Sequence, residues 1–224
     1  MLAGIGALAR ERRVDVAQGA IVARPTGGWV FRTATTVFDT DDGGGHVAAA
    51  DQQTTKYTDF LDRLSGFEAE LRAAGQWELP HPWLTTFVGD HAVASALSDE
   101  LADLSSHDLG PAGQIVVNPV LPERVRTPLV QLPAGSLCFT VNLIRVPTSD
   151  DPGQVGRLLE ANRAIYDRLR ARGGTLYPAS ALQMSSTDWR RHFGPAFDRL
   201  HDARRTYDPD GLLTPGYEVF PKRR

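Results

Sequence analysis

A single cysteine, Cys138, excludes any disulfide framework within this 224-residue chain. It lies in the apolar run SLCFTVNLI and reads as a buried strand residue rather than a nucleophile. No apolar stretch approaches the roughly 20 residues that span a bilayer. Neither sign of charge is in excess. The chain has 24 Lys and Arg against 27 Asp and Glu, a net charge of −3 and a pI near 6.1, which leaves no basic footprint for nucleic acid. His46, His91, His107 and His201 lack the spacing of zinc ligands, and no Ser-His-Asp or Cys-His set can be assembled from the order of residues. The acidic run DTDDGGG at 39–45 fails as an EF-hand loop: counted from Asp39, glycine reaches the sixth position, but Gly43 occupies the fifth and Ala50 stands where the bidentate Glu belongs. It reads as a surface loop.

The N-terminus offers two decoys. Gly4-Ile5-Gly6-Ala7-Leu8-Ala9 fits the G-x-G-x-x-A form of a dinucleotide fingerprint, yet only three residues precede Gly4, too few for the strand the motif requires. The apolar stretch before Arg10, Arg12 and Arg13 carries its charge on the wrong side for a signal peptide, so the expectation is a short helix and a cytoplasmic protein.

What is present suits one domain over residues 1–224, since 42% hydrophobic content at this length can form a sizeable core. Residues 14–38 read as a hairpin around the Pro25-Thr26-Gly27-Gly28 turn. Apolar residues at three-to-four spacing predict a helix over 57–75, closed by Gly75. A strand is expected in PWLTTFVG, a helix over about 91–104, a strand in QIVVNPV, and strand character over 129–132 and 137–146. A helix over 152–172 stops at Gly173-Gly174, and a last one starts near Ser186 or Thr187 as N-cap and runs toward Arg205. The sum is an α+β fold with a mainly antiparallel sheet covered by helices on one face, leaving the other free to bind.

The tail YDPDGLLTPGYEVF, Tyr207 to Phe220, bends at Asp208-Pro209 and at Pro215-Gly216 around Leu212 and Leu213, the pattern of a docked segment over 207–224. It resembles the closing segment of flavin-dependent oxidoreductases of the vanillyl-alcohol-oxidase type. VDVAQGAIV (14–22), PHPWL (80–84), QIVVNPV (114–120), FTVNLIR (139–145) and DWRRHFG (188–194) keep that family's order, with PHPWL closest to the cytokinin dehydrogenases. The resemblance implies a ferredoxin-like-derived substrate domain whose open face roofs the flavin. It also implies that the larger flavin-binding domain, with the catalytic aspartate, is missing, because the chain starts too late to hold it. FAD is then expected only if a flavin-binding partner subunit supplies it, with self-association as the other way to cover the open face.

Two positions depart from the family pattern. Gln18 aligns with a glutamate that lies close to the catalytic aspartate, and glutamine cannot accept a proton from substrate. Tyr217 follows Pro215-Gly216 where a glutamine is usual in cytokinin dehydrogenases, which argues against adenine-type cytokinins as substrate. By resemblance Gln18 and Tyr217 are the candidate catalytic residues, with Gly216 and Tyr217 facing the cofactor. Trp29, His81 and Trp83 are candidates for a substrate pocket, although a Trp opening a strand is also a common core anchor. Asn118 and Asn142, inside apolar strands, are equally open to pocket lining and to structural hydrogen bonding. Trp189 and His192 share a helix face and read as packing. Three functions follow: the substrate domain of a split flavin-dependent oxidoreductase acting on a small organic substrate; a cofactor-independent cyclase or isomerase using the same pocket; or a non-catalytic ligand-binding protein.

Overall fold

The computed structural model describes residues 1–38, 51–213 and 217–220. The 39–45 loop, His46 and the Pro215-Gly216 turn lie outside the described residues.

Helix α1 (Leu2–Arg10) leads into strands β1 (Val16–Ala23) and β2 (Trp29–Thr36), paired in unbroken register from Val16 opposite Thr36 to Ala23 opposite Trp29. Arg24 N–H donates to Gly28 O at 2.9 Å, closing the expected turn. Then come α2 (Tyr57–Leu61), α3 (Ser65–Ala73), β3 (Leu84–Gly89), α4 (Asp90–Asp103), α5 (Ser106–Leu109), β4 (Gln114–Val120), β5 (Cys138–Ile144), α6 (Pro152–Ala171), β6 (Thr175–Leu176), α7 (Ser186–Phe193) and α8 (Ala196–Tyr207). The six strands form one sheet in the order β2-β1-β4-β5-β3-β6, with every neighbouring pair antiparallel. The fold is therefore the α+β arrangement expected. Among the described residues, no helix is long and apolar enough to cross a membrane.

Alternation along the strands sorts the sheet into two faces. Ile21, Ile115, Leu143 and Leu84 oppose one another across four strands and are no more than 2% exposed. Against this row pack Ile5 of α1, Val93, Ala96 and Leu97 of α4, and Ile165 and Leu169 of α6, in a core that also takes in Trp189, Phe193 and Phe197 of α7 and α8. Each buried aliphatic side chain contributes about 2 kcal/mol of transfer free energy. The second glycine of the N-terminal decoy has a packing role: a Cβ on Gly6 would lie 3.1 Å from Leu137 and 3.2 Å from Phe139, so glycine lets α1 sit close on the sheet.

Four expectations are corrected. The 57–75 stretch is two short helices interrupted at 62–64, because Leu61 and Leu64 are 58% and 64% exposed and their spacing has no surface to pack on. Residues 129–132 are turn and irregular chain, with Val130 N–H bonded back to Thr127 O. Gly194, at φ +51°, and Pro195 split the final helix into α7 and α8. The N-cap of α7 is Ser185, whose hydroxyl accepts from Asp188 N–H while the Asp188 carboxylate accepts from Ser185 in return.

One polar knot crosses the core. Asn162 on α6 is fully buried; its Nδ2 donates to Pro82 O and Ala181 O, both at 3.0 Å, and its Oδ1 accepts from Arg145 Nε at 3.0 Å. Arg145, 1% exposed, also donates from Nη1 to Asp108 O. Burial holds this guanidinium below the usual arginine range, opposed by the Asp108 charge. Asn162→Ala leaves two buried carbonyls and one guanidinium edge without partners, and is expected to lower stability by about 3 kcal/mol with an unchanged slope in urea unfolding.

Asp188 ties α7 to α6. Burial raises its carboxyl, but hydrogen bonds from Arg163 and from the Ser185 backbone and hydroxyl outweigh this and bring it down to about 2. Since the folded value lies below the ~3.9 of an unfolded Asp, the stabilisation is present above about pH 4 and is lost as pH falls toward 2. Asp188→Asn should flatten that part of the stability profile, and lower stability at pH 7, in urea titrations run from pH 2 to 7.

Candidate functional site

The second face of the sheet carries partly exposed side chains where the first carries core. Across it run two rows. Ala20, Val116, Asn142 and Thr85 oppose one another from β1 to β3, and Asn118, Thr140, Phe87 and Thr175 form the parallel row from β4 to β6. Gln18 stands next to Asn118, one residue beyond the Gly19–Val117 pair. All of these except Phe87 are intermediate in exposure. The face has small or β-branched side chains between its amides and no titratable group in either row from β1 to β6, and on β2 the first row ends at Arg32, opposite Ala20.

Thr140 organises it. Its Oγ1 accepts from Asn118 Nδ2 at 3.1 Å, from Asn142 Nδ2 at 3.2 Å and from the Asn118 backbone N–H at 3.2 Å. Asn142 Nδ2 also donates to Val116 O at 3.0 Å. Both asparagines thus use their NH2 groups within the protein and keep their carbonyl oxygens available as acceptors. The Gln18 amide makes no hydrogen bond among the described residues. The result is a planar field of neutral acceptors suited to a flat ligand bearing N–H groups, with nothing on it that takes up a proton near neutral pH.

The expected site residues divide between this face and elsewhere. Gln18, Asn118 and Asn142 are brought together. Trp29 is not with them: its partner across the hairpin is Ala23, on the core side, and its Nε1 donates to Leu101 O of α4 at 3.0 Å. His81 and Trp83 pair with ring centroids 5.3 Å apart just before β3, and Trp83 Nε1 donates to Arg145 O at 2.9 Å, which fixes the indole as an anchor at the sheet's end. Tyr217 lies against α7, its carbonyl accepting from Trp189 Nε1 at 2.9 Å and its ring 6.2 Å from that indole. Phe220 continues the contact onto Phe197 and His201. Gly216 lies outside the described residues.

Two residues of the face were not anticipated from sequence. Thr140 carries no signal of its own in the sequence, because only the pairing of β4 with β5 sets its hydroxyl between Asn118 and Asn142. Tyr177, 43% exposed, stands over Phe87 at 6.1 Å, with its N–H bonded to Thr85 O, and rims the face at the β6 edge. Two residues before Thr140 on β5, burial and then the charge of Asp90 push the Cys138 thiol up to about 11, so it stays protonated. Burial lowers His192, which packs edge-on to Trp189 and Phe193.

Trp189→Phe keeps most of the ring packing and removes the donor to Tyr217 O. Losing one such bond, worth about 1 kcal/mol, should raise the chymotrypsin cleavage rate after Tyr217 about fivefold.

Comparison with known proteins places these features in context. The model of a family described as cytokinin dehydrogenase 1, FAD and cytokinin binding, matches residues 48–220. An uncharacterized oxidoreductase, ORF5 in the fasciation locus of Rhodococcoides fascians, is 32% identical over 163 residues, covering 73% of this chain and 36% of that protein. Cytokinin dehydrogenase 10 of Oryza sativa subsp. japonica is 31% identical over 173 residues, covering 74% of this chain and 30% of the relative. The chain thus spans about a third of the length of these curated relatives. Among solved structures, 6-hydroxy-D-nicotine oxidase from Arthrobacter nicotinovorans superposes with a TM-score of 0.51 over 99% of this chain and 52% of the other, at 17% identity, which establishes likeness of fold.

Proposed function

Because the chain belongs to the cytokinin dehydrogenase FAD- and cytokinin-binding family, we propose that it is the substrate-binding lobe of a flavin-dependent oxidoreductase, working with a flavin-binding domain borne on a partner subunit. The observation that supports this is the Thr140-centred row of amides on the partly exposed sheet face. That face fits the ring portion of FAD and a small organic substrate beside it. It is flat, it lies between the partly exposed Val116 and Thr85, and its Asn118, Asn142 and Gln18 oxygens accept hydrogen bonds from ring or substrate N–H groups.

Bound flavin supplies the hydride acceptor. This chain's residues bind and orient. Thr140 fixes both asparagine amides, so their acceptor oxygens are set before a ligand arrives and little side-chain freedom is lost on binding. Gln18 extends the acceptor row toward β1. With no base in the rows, proton removal falls to the flavin-bearing partner, and Gln18 acts as a hydrogen-bonding group. Tyr217, held through its carbonyl at α7, orders the tail.

The reading is tested on the full chain with side-chain amide NMR signals during titration with FMN, using inorganic phosphate as the control for the phosphate group. The expected outcome is selective perturbation of the Gln18, Asn118 and Asn142 NH2 signals by FMN and not by phosphate. Thr140→Val should weaken that response about threefold to tenfold, the effect of one or two lost positioning hydrogen bonds. Perturbations confined to other parts of the chain, or none at all, would overturn the assignment of this face.

A further inference from the structure

At the end of the sheet where β1 leaves, β4 enters and β5 leaves, two hollows share a wall. The larger, about 340 Å³, lies between Val22 and Arg24 on one side and Ser106, Gly113 and Pro147 on the other. The smaller, about 180 Å³, is lined by Arg145, Arg157, Asp108 and Leu158, and His107 and Gln154 border both. Their position is fixed by the backbone. Val146 N–H donates to Leu109 O at 2.7 Å, drawing the α5–β4 connection against the exit of β5. Gly110, at φ +82°, makes this approach possible, since a Cβ there would fall 1.9 Å from Val146 O.

The electrostatics of these hollows are one-sided. Arg145 lines the smaller one, is 1% exposed, and has no carboxylate in ion-pair contact among the described residues. Its Nε and Nη1 are engaged by Asn162 and Asp108 O, and its Nη2 has no hydrogen-bond partner among the described residues. Arg157 enters from the second turn of α6, and Arg24 borders the larger hollow. The one carboxylate in the lining, Asp108, is taken up by the Ser105 backbone and hydroxyl in the α5 capping box. Asp151, the next nearest along the chain, caps α6 through Gln154 N–H at 2.7 Å. The Gln154 side-chain oxygen is buried without a partner, and half a turn of that amide presents its NH2 instead.

A buried, incompletely bonded guanidinium beside a second arginine and a reversible amide is the donor set of an oxyanion. We propose that these hollows form an anion-binding subsite, separate from the amide face, that takes the phosphate or carboxylate group of a small metabolite. Arg145 supplies the fixed charge at the floor, and Arg157, the Gln154 amide and His107 close on the anion from the rim. Val22 stands at the end of the strand row that begins with Gln18 and Ala20, so an anion held here lies along β1, the strand that also carries Gln18, without using the amides of the face.

The test titrates the full chain with inorganic phosphate, and separately with succinate, at constant ionic strength, following backbone and arginine Nε–H NMR signals. Saturable binding is expected for at least one of them, centred on residues 106–113 and 154–157. It should weaken about tenfold in Arg157→Gln and be unchanged in Asn118→Ala. Preference for phosphate assigns the subsite to phosphate esters, and preference for succinate assigns it to carboxylates. Failure of both anions to saturate, or binding indifferent to Arg157→Gln, overturns the proposal. Arg145→Lys adds a check, since it keeps the charge and loses the fork, and should also bind more weakly.

Discussion

Four segments that are distant in sequence meet at the side chain of Asn162. Its amide joins the chain entering β3 through Pro82 O, the chain after β6 through Ala181 O, and the exit of β5 through Arg145. Arg145 in turn reaches the backbone of α5, and its own carbonyl receives the Trp83 indole N–H. The rest of the core is mostly apolar and largely indifferent to direction, so this knot, with the pairing of Arg168 to the buried Glu100 of α4, fixes how α6 is placed along the sheet. It also sets a condition: a buried cation tolerates few rearrangements, because any shift that breaks its bonds strands a charge away from water. The site features depend on this, since the same contacts hold the ends of β3 and β5 and shape the smaller hollow.

The sheet puts its two faces to different uses. Odd-numbered positions of β1, β4 and β5 meet the helices, while even-numbered positions carry Gln18, Asn118, Thr140 and Asn142 outward. A central strand such as β5, flanked on both edges, holds its side chains in fixed register, which is why Thr140 can serve two asparagines at once. The β1–β2 hairpin precedes the span matched by the family model, yet it pairs with β4 and brings Gln18 to the face.

Much of this was legible in the residues. QIVVNPV is β4 without a residue to spare, and the run around Cys138 is β5, because alternation with β-branched residues leaves little ambiguity. The one-sided helical cover followed from element order. What could not be read was pairing partner and register. Asn118 and Asn142 were visible as polar residues in apolar strands, but only the register places Thr140 between them. Leu61 and Leu64 had the spacing of a buried stripe and lacked an opposing surface. The two residues of β6 fall below the length at which a strand announces itself, and Tyr177 went unnoticed with them. Nothing along the chain marks Arg145 as buried, because its burial depends on an asparagine 17 residues away.

The attachment of the tail carries an implication for how such a lobe diversifies. Trp189 grips residue 217 by its backbone carbonyl, an atom every amino acid possesses. This hydrogen bond, unlike the ring contact beside it, is therefore independent of side-chain identity at that position. The phenol of Tyr217 can be exchanged for an amide, an alkyl group or nothing, and the clasp survives. Residue 217 is free to drift, whereas Trp189, whose indole N–H makes the clasp, is not.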